Sequence, residues 1–495
     1  MAVIKIQPTV RRDGTKEDEV VSFEAVTPSE SGESMFAPGT FLSPENIEKF
    51  KPKAGSSELA AKKLQQLGFR ILHVGEFSVS GEGTQRLWEK TFSTKVRKET
   101  IDYTGIKDLG QRSYLSHIPK TPFSVPKDLA DLVERAYPQR PPTFHESPLP
   151  PTAPTYHYLN VPADVSMLLR ADPVQKEGVT GKGVLVAMPD TGFYYHQFYK
   201  WRGYNYGRTL SPDAVDVELD NYGHGTAEAA NIFSCAPDID FVGVKMGSNA
   251  TLAFKTAVDL SPAIVTNSWG YDLPGITELP NFLKPLEAEI IRAVKTLGIT
   301  VVFSAGNCHV AFPAMMPEVI AAGGVYAHRK LSGDDFDMEA TDYASSFISD
   351  IYPGRAVPDV CGLVGKKPKG IYIMLPVQPK CSIDQGLGGS GFPNKDETET
   401  DDGWAVISGT SAAAPQVAGV CALLKQIQPS LSPGLIKNVL SASARDVKKG
   451  QSCMGDKAGR GFDSATGAGL VDAYAAYRIA RSIQVRPLFT LPAPR

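Results

Sequence analysis

The sequence predicts an α/β protein: a three-layer domain on a mainly parallel sheet, preceded by a small α+β module. Three observations carry this. Beyond residue 158, the short apolar runs GVLVAMPD, IDFVGVKM, AIVTNSWG and TVVFSAGN alternate with helical patterns, as strands buried on both faces do. Between Ser56 and about Thr100, helical spacing and strand alternation interleave on a smaller scale. A proline-rich stretch, PQRPPTFHESPLPPTAPTYH, separates the two regions and supports neither helix nor central strand.

From the N-terminus, AVIKIQPTV and EVVSFEAV alternate as two strands around the turn-forming RRDGTKED, which predicts a hairpin. A loop rich in Ser, Pro and Gly follows. SELAAKKLQQLGF sets Leu59, Lys63, Leu64 and Leu67 at helical spacing and ends at Gly68. FRILHVGEFSVSG then reads as a strand or a bent pair of strands, TQRLWEKTF as a short helix and STKVRKETI as a further strand. The predicted division is a hairpin and loop (1–54), an α+β module (55–136), a linker (137–158), the large α/β domain (159–485) and a tail (486–495).

The 495 residues are 42% hydrophobic, enough for a large core, and their 51 basic and 54 acidic residues nearly balance. Nothing global favours nucleic acid or an anionic membrane. The N-terminus lacks the apolar core of a secretory signal, so a cytoplasmic location is expected, with export by another route as the alternative. No run approaches the roughly 18 apolar residues of a membrane span. Six cysteines (Cys235, Cys308, Cys361, Cys381, Cys421, Cys453) form no CxxC pairs, and free thiols are expected. Disulfides remain open if the protein is exported.

Hydrolysing an amide needs a nucleophile, a base, a group orienting the base and donors for the developing oxyanion. Asp190 ends the apolar run before DTG, where a carboxylate can accept from an imidazole N–H. His224 sits between Gly223 and Gly225 at a helix start expected near Thr226; nearby Asp220 reads as a surface residue. Ser411 follows Gly409, read as permitting a sharp turn, at the first turn of an apolar helix whose positive end suits an oxyanion. Asn307 ends another strand and can donate without taking a proton. Each segment alone reads as an ordinary turn or cap. The ordered set does not.

Together DTG, NYGHGT, SAGN and SGTSAAAPQVAG resemble the signatures of the subtilisin family of serine peptidases, in the family's order Asp, His, Asn, Ser, from about Gly181 to about Ala476. The resemblance implies a subtilisin-like fold and a serine endopeptidase acting through an acyl-enzyme on Ser411. In it His224 is general base and acid, Asp190 its orienting partner and Asn307 the oxyanion donor. It also implies that the strand at Ser268, Trp269 and Gly270 and the segment Ser304, Ala305 and Gly306 flank the S1 pocket and bind peptide as an added strand. Protein or peptide substrates follow. No cofactor is needed for the chemistry; structural calcium is possible, with no ligand set identifiable.

Departures are Ala412 and Gln416, where the family more often has Met and His. Cys308 and His309 directly follow Asn307 and are read as structural, with redox control or a second base as the alternatives. The module at 55–136 resembles the folding-assistant propeptides of these peptidases, which makes it an expected inhibitor and the linker an expected self-processing region. In the insertion between Asp359 and Ser408, QGLGGSGF lacks the Lys of a phosphate loop, and KDETETDDGW is expected to be a solvated face. A catalytically silent binding or regulatory protein on the same fold is the alternative from a different class. Acid-acting carboxyl-serine peptidases would need a Glu base and an Asp donor instead of His224 and Asn307.

Overall fold

The computed structural model describes residues 19–102, 111–144, 158–327, 338–366, 372–390 and 395–483. The N-terminal module is built from β1 (Val20–Val26), α1 (Ser56–Gln66), β2 (Arg70–Val74), β3 (Ser78–Thr84), α2 (Gln85–Thr91), β4 (Val96–Asp102), β5 (Gln111–His117) and β6 (Arg135–Pro138). Gly68, at φ 103°, adopts the left-handed conformation that ends α1. The Thr84 hydroxyl accepts from the Leu87 N–H at 3.2 Å and caps α2.

One antiparallel sheet runs β2-β3-β1-β6, and β4 and β5 form a separate ribbon. The segment AVIKIQPTV lies outside the described residues. Its expected partner β1 lies between β3 and β6, so residues 20–26 belong to the same sheet as the residues after position 54. The reason is packing: Val21, Phe23 and Ala25 alternate onto the face holding Phe69, Trp88 and Phe92. Phe23 meets Phe69 edge-on with centroids 5.1 Å apart.

The larger part begins with two short strands, β7 (Thr143–Phe144) and β8 (Leu159–Asn160), and two short helices, α3 (Ala163–Leu168) and α4 (Asp172–Lys176). Then follow β9 (Leu185–Asp190), α5 (Gln197–Arg202), α6 (His224–Cys235), β10 (Asp240–Lys245), α7 (Ala250–Asp259), β11 (Ile264–Asn267), β12 (Trp269–Asp272), α8 (Lys284–Ile291) and β13 (Thr300–Ser304). After β14 (Ala311–Phe312) come β15 (Ile320–Ala327), β16 (Met338–Ala340), the pair β17 (Phe347–Ile348) and β18 (Ala356–Val357), and β19 (Val360–Val364). The last elements used below are α9 (Ser382–Leu387) and α10 (Thr410–Ile427).

The central sheet runs β10-β9-β11-β13-β15, with parallel β19 and antiparallel β16 both on β15. The four apolar runs singled out from the sequence contribute β9, β10, β11 and β13, all parallel. Side chains alternate between two layers. Val186 and Met188 of β9 pack with α6 and α10, whereas Ala187 packs with α7 and α8. Small residues let α6 and α10 touch: a Cβ on Gly419 would fall 2.7 Å from the Cys235 Cβ. The α7/α8 layer also takes in Val26, Met35, Phe50 and Phe77, so the module's outer face completes that core.

Candidate active site

The loops after parallel strands converge at the carboxyl end of the sheet, and Asp190, His224, Asn307 and Ser411 all lie there. Asp190 is the last residue of β9, and His224 is the first of α6. The helix therefore starts two residues before the expected Thr226. The His224 Nδ1 lies 2.6 Å from Asp190 Oδ1, and neither side chain is exposed. Thr191 N–H donates to the same carboxylate oxygen at 2.7 Å.

Two glycines make this approach possible. Gly223 has φ 104°, and a Cβ there would sit 2.5 Å from the Cys381 Sγ. A Cβ on Gly225 would fall 2.3 Å from the Gly192 carbonyl oxygen and 2.9 Å from the Asp190 Cβ. Asp220 is not a surface residue, as the sequence suggested, but is fully buried. Its carboxylate accepts from Thr191 Oγ1 at 2.8 Å, Gly223 N–H at 2.9 Å, and Thr226 N–H and Oγ1 at 2.9 and 2.7 Å. It therefore fastens the Asp190 turn to the start of α6. The helix start after NYG was the available signal, since Asp favours such caps.

Ser411 is the second residue of α10, a helix buried over most of its length. Gly409, before it, is in extended backbone (φ 167°), so no left-handed turn is required there. Ser411 Oγ donates to the Ser268 carbonyl at 3.3 Å, and Ser268 Oγ donates to the Ser411 carbonyl at 2.8 Å. Thr410 links Ser411 to Asn307: its N–H and hydroxyl donate to Asn307 Oδ1 at 3.0 and 3.1 Å. With its oxygen so engaged, the Asn307 amide presents Nδ2, a pure donor.

The turn carrying Asn307 is held from its far side. Cys308 and Cys453 form a disulfide across 145 residues, which corrects the expectation of six free thiols. Cys235, Cys361, Cys381 and Cys421 are free and buried, and burial pushes their thiols up. Burial pushes the His309 imidazole down against Asp272, and its Nδ1 accepts from Asn307 N–H at 3.3 Å. Cys308 thus has no thiol for the redox role considered from sequence, and His309 serves the turn.

The strand expected to bind peptide is β12, and its backbone already has a partner. β7 pairs with it antiparallel, Trp269 opposite Phe144 and Gly270 opposite Thr143. The Trp269 side chain is buried, and its indole N–H donates to the Pro189 carbonyl at 3.0 Å. Ser304 ends β13, Ala305 N–H donates to the Ala322 carbonyl at 2.9 Å, and Gly306 N–H to Thr410 Oγ1 at 3.1 Å.

The acidic run is not simply a solvated face. Asp396 is buried, accepting from Thr398 N–H at 3.0 Å and Val406 N–H at 2.9 Å. Asp402 accepts from Glu399 and Trp404 N–H at 3.1 and 2.8 Å. These carboxylates shape turns. Among the described residues, no three His, Cys, Asp or Glu side chains gather as metal ligands, and no helix is long and apolar enough to cross a membrane.

A model of the subtilase family of peptidases (S8) matches residues 181–469, more than half of the chain and all four candidate residues. The chain belongs to the subtilase family, a family of serine peptidases. Among curated relatives, alkaline elastase YaB of Bacillus sp. (strain YaB) is 28% identical over 330 residues, covering 63% of this chain and 68% of that protein. Serine protease AprX of Bacillus subtilis (strain 168) is 27% identical over 298 residues, 53% of this chain and 61% of the relative. Bacillopeptidase F of the same strain is 27% identical over 347 residues, but only 21% of its own length is spanned.

Proposed function

We propose that this protein is a serine endopeptidase made as a self-processing zymogen. The observation that carries the reading is the 2.6 Å contact between the buried Asp190 carboxylate and His224 Nδ1, at the strand end beside the Ser411 helix. With Nδ1–H held by Asp190, the imidazole offers Nε2 as a base. Nε2 takes the Ser411 proton as Oγ attacks the scissile carbonyl. Asn307 Nδ2 donates to the oxyanion, and the imidazolium then protonates the departing amine. Water repeats the sequence on the acyl-enzyme, releasing the acid and restoring Ser411.

The N-terminal module is the inhibitor in this reading. Support comes from β7, which follows the module in the chain and fills the backbone edge of β12 that a substrate would use. Ser268, one residue before Trp269, accepts from Ser411 Oγ, so the pairing leads the chain toward the nucleophile. Processing is therefore expected shortly after Phe144, within the linker. The Cys308–Cys453 disulfide favours an oxidising compartment over the cytoplasm expected from the N-terminus.

The test is a fluorophosphonate label and a denaturing gel on wild type and Ser411→Ala. Labelling at Ser411, with two wild-type fragments and one intact mutant band, is the expected result. An unlabelled wild type that stays intact would reject the reading.

A further inference from the structure

Helix α6 brings a second acidic side chain to the imidazole. Glu228 follows His224 by four residues, one helical turn, so the two share a face. Glu228 is 2% exposed, and its Oε1 lies 3.9 Å from His224 Nε2, on the other side of the ring from the nitrogen that Asp190 holds.

A buried carboxylate is costly unless donors hold it, and this one is held by a built chain. Oε2 accepts from Asn231 Nδ2 at 2.9 Å, and Asn231 Oδ1 accepts from Gln416 Nε2 at 3.0 Å. Gln416 sits on α10, just over one turn after Ser411. It is clamped to β19: Oε1 accepts from Leu363 N–H at 2.7 Å and Nε2 donates to the Leu363 carbonyl at 3.1 Å. All three partner residues are fully buried. The chain thus ties the helix of the nucleophile to the helix of the base, and it gives Gln416 a purpose in place of the family's more frequent His.

The other titratable groups around this point are Asp190 from β9, Asp220 from the turn before α6, Tyr222 beside it, Tyr199 from α5 and Cys381 at the start of α9. Tyr199 donates to the Thr226 carbonyl. Burial first, and then charges including that of Glu228, push its hydroxyl well up. Of the acids, Asp190 stands on Nδ1 and Asp220 is occupied by four donors. Glu228 is the carboxylate on the Nε2 side.

We propose that Glu228 is a positioning residue for His224: its carboxylate, aimed by Asn231 and Gln416, stabilises the imidazolium from the side opposite Asp190. The proposal rests on the peptidase reading for its role in catalysis, but the electrostatic coupling itself does not need turnover.

Glu228→Gln keeps the size and an oxygen for Asn231 while removing the charge. In the Ser411→Ala background, ring 15N NMR of His224 across pH reads the coupling without activity. The titration midpoint is expected to fall by about one pH unit when Glu228 becomes Gln. In the Ser411 enzyme, the acid limb of kcat/KM should move down equally, a shift that a purely structural role would not produce. An unchanged midpoint in a folded Glu228→Gln protein overturns the proposal. Should that variant not fold, Glu228→Asp decides: a midpoint lowered by less than one unit supports it, and an unaltered one overturns it. A moved midpoint in a protein that neither cleaves peptide nor labels at Ser411 would reject the peptidase reading alone.

Discussion

Glu24 on β1 and Lys255 on α7 face each other at 3.0 Å, and both side chains are out of water. The pair crosses from the N-terminal module to the larger part. Ser78 Oγ donates to Glu24 Oε2 at 2.7 Å and Asn249 Nδ2 to Oε1 at 3.1 Å, so the carboxylate is satisfied on both oxygens. Asn249 also caps α7 through the Leu252 N–H at 2.9 Å. Docking and helix capping thus share one residue.

Removing one partner of such a pair leaves a buried charge and costs about 3–5 kcal/mol, whereas replacing both with apolar groups is often neutral. In the Ser411→Ala protein, Lys255→Met is therefore expected to lower the melting temperature, and Glu24→Met with Lys255→Met to recover most of the loss. Calorimetry of the four proteins reads this cycle. Burial raises the Glu24 carboxyl, but Lys255 together with the Ser78 bond outweighs burial and holds it below its ordinary 4.5. A depressed carboxyl stabilises above that ordinary value and loses the effect as pH falls through the depressed one. Module docking should weaken in strong acid, and less so in Glu24→Gln relative to its own neutral-pH value.

The disulfide predicts a second dependence. Cys308 carries φ 62°, a conformation that side chains other than glycine adopt rarely, directly after Asn307. Cross-linking residues 145 apart contributes about 5 kcal/mol in the chain-entropy account. Reductant, or Cys308→Ser with Cys453→Ser, should lower the melting temperature and reduce kcat more than it alters KM. The thermal scan and steady-state kinetics check both halves. Mild peroxide should not inhibit through Cys308, because no thiol is present there.

Thr410 offers a graded probe of Asn307 as the proposed oxyanion donor. Losing such a donor costs about 100-fold to 1000-fold in turnover. Thr410→Val removes one of the two bonds that orient Asn307 Oδ1 and leaves the backbone bond. A fall in kcat of about 10-fold, smaller than that of Asn307→Leu and with KM nearly unchanged, is expected from kinetics on one peptide substrate.

Much of the site was legible because its parts are local: a strand end before DTG, a helix start at GHG, a helix start at TSAAAP. Local signals carry their own backbone chemistry, so each segment shows its turn or helix start, and the four in order point to one site. What stayed hidden depends on contacts distant in sequence. Glu228 among alanines in HGTAEAANIF carries no signal of its own, and its role emerges only from Asn231, Gln416 and Leu363. Asp220 looks exposed until Thr191 and Thr226 close on it. The partner of Cys308 lies 145 residues away, with no spacing rule to reveal it. The strand β1 was recognised, but its neighbours β3 and β6 are set by the aromatic cluster around Phe23, which alternation alone does not specify.

Glu287 on α8 supplies a pH dependence of opposite sign to Glu24. Burial pushes its carboxyl up to about 7 in spite of the hydrogen bond from Tyr352 Oη at 2.6 Å. A carboxyl raised in the folded state holds its proton where the unfolded chain has released it, so stability falls as pH rises from 4.5 to about 7 and stays reduced above. The shift corresponds to about 3 kcal/mol of destabilisation at full ionisation. Glu287→Gln keeps the acceptor for Tyr352 and cannot ionise. It should therefore raise the melting temperature at pH 8 and leave it nearly unchanged at pH 4, where the wild-type side chain is mostly protonated in both states. Thermal unfolding of Ser411→Ala with and without Glu287→Gln at the two pH values measures this difference. Equal shifts at both would mean that the substitution acts through packing and that Glu287 is not held protonated.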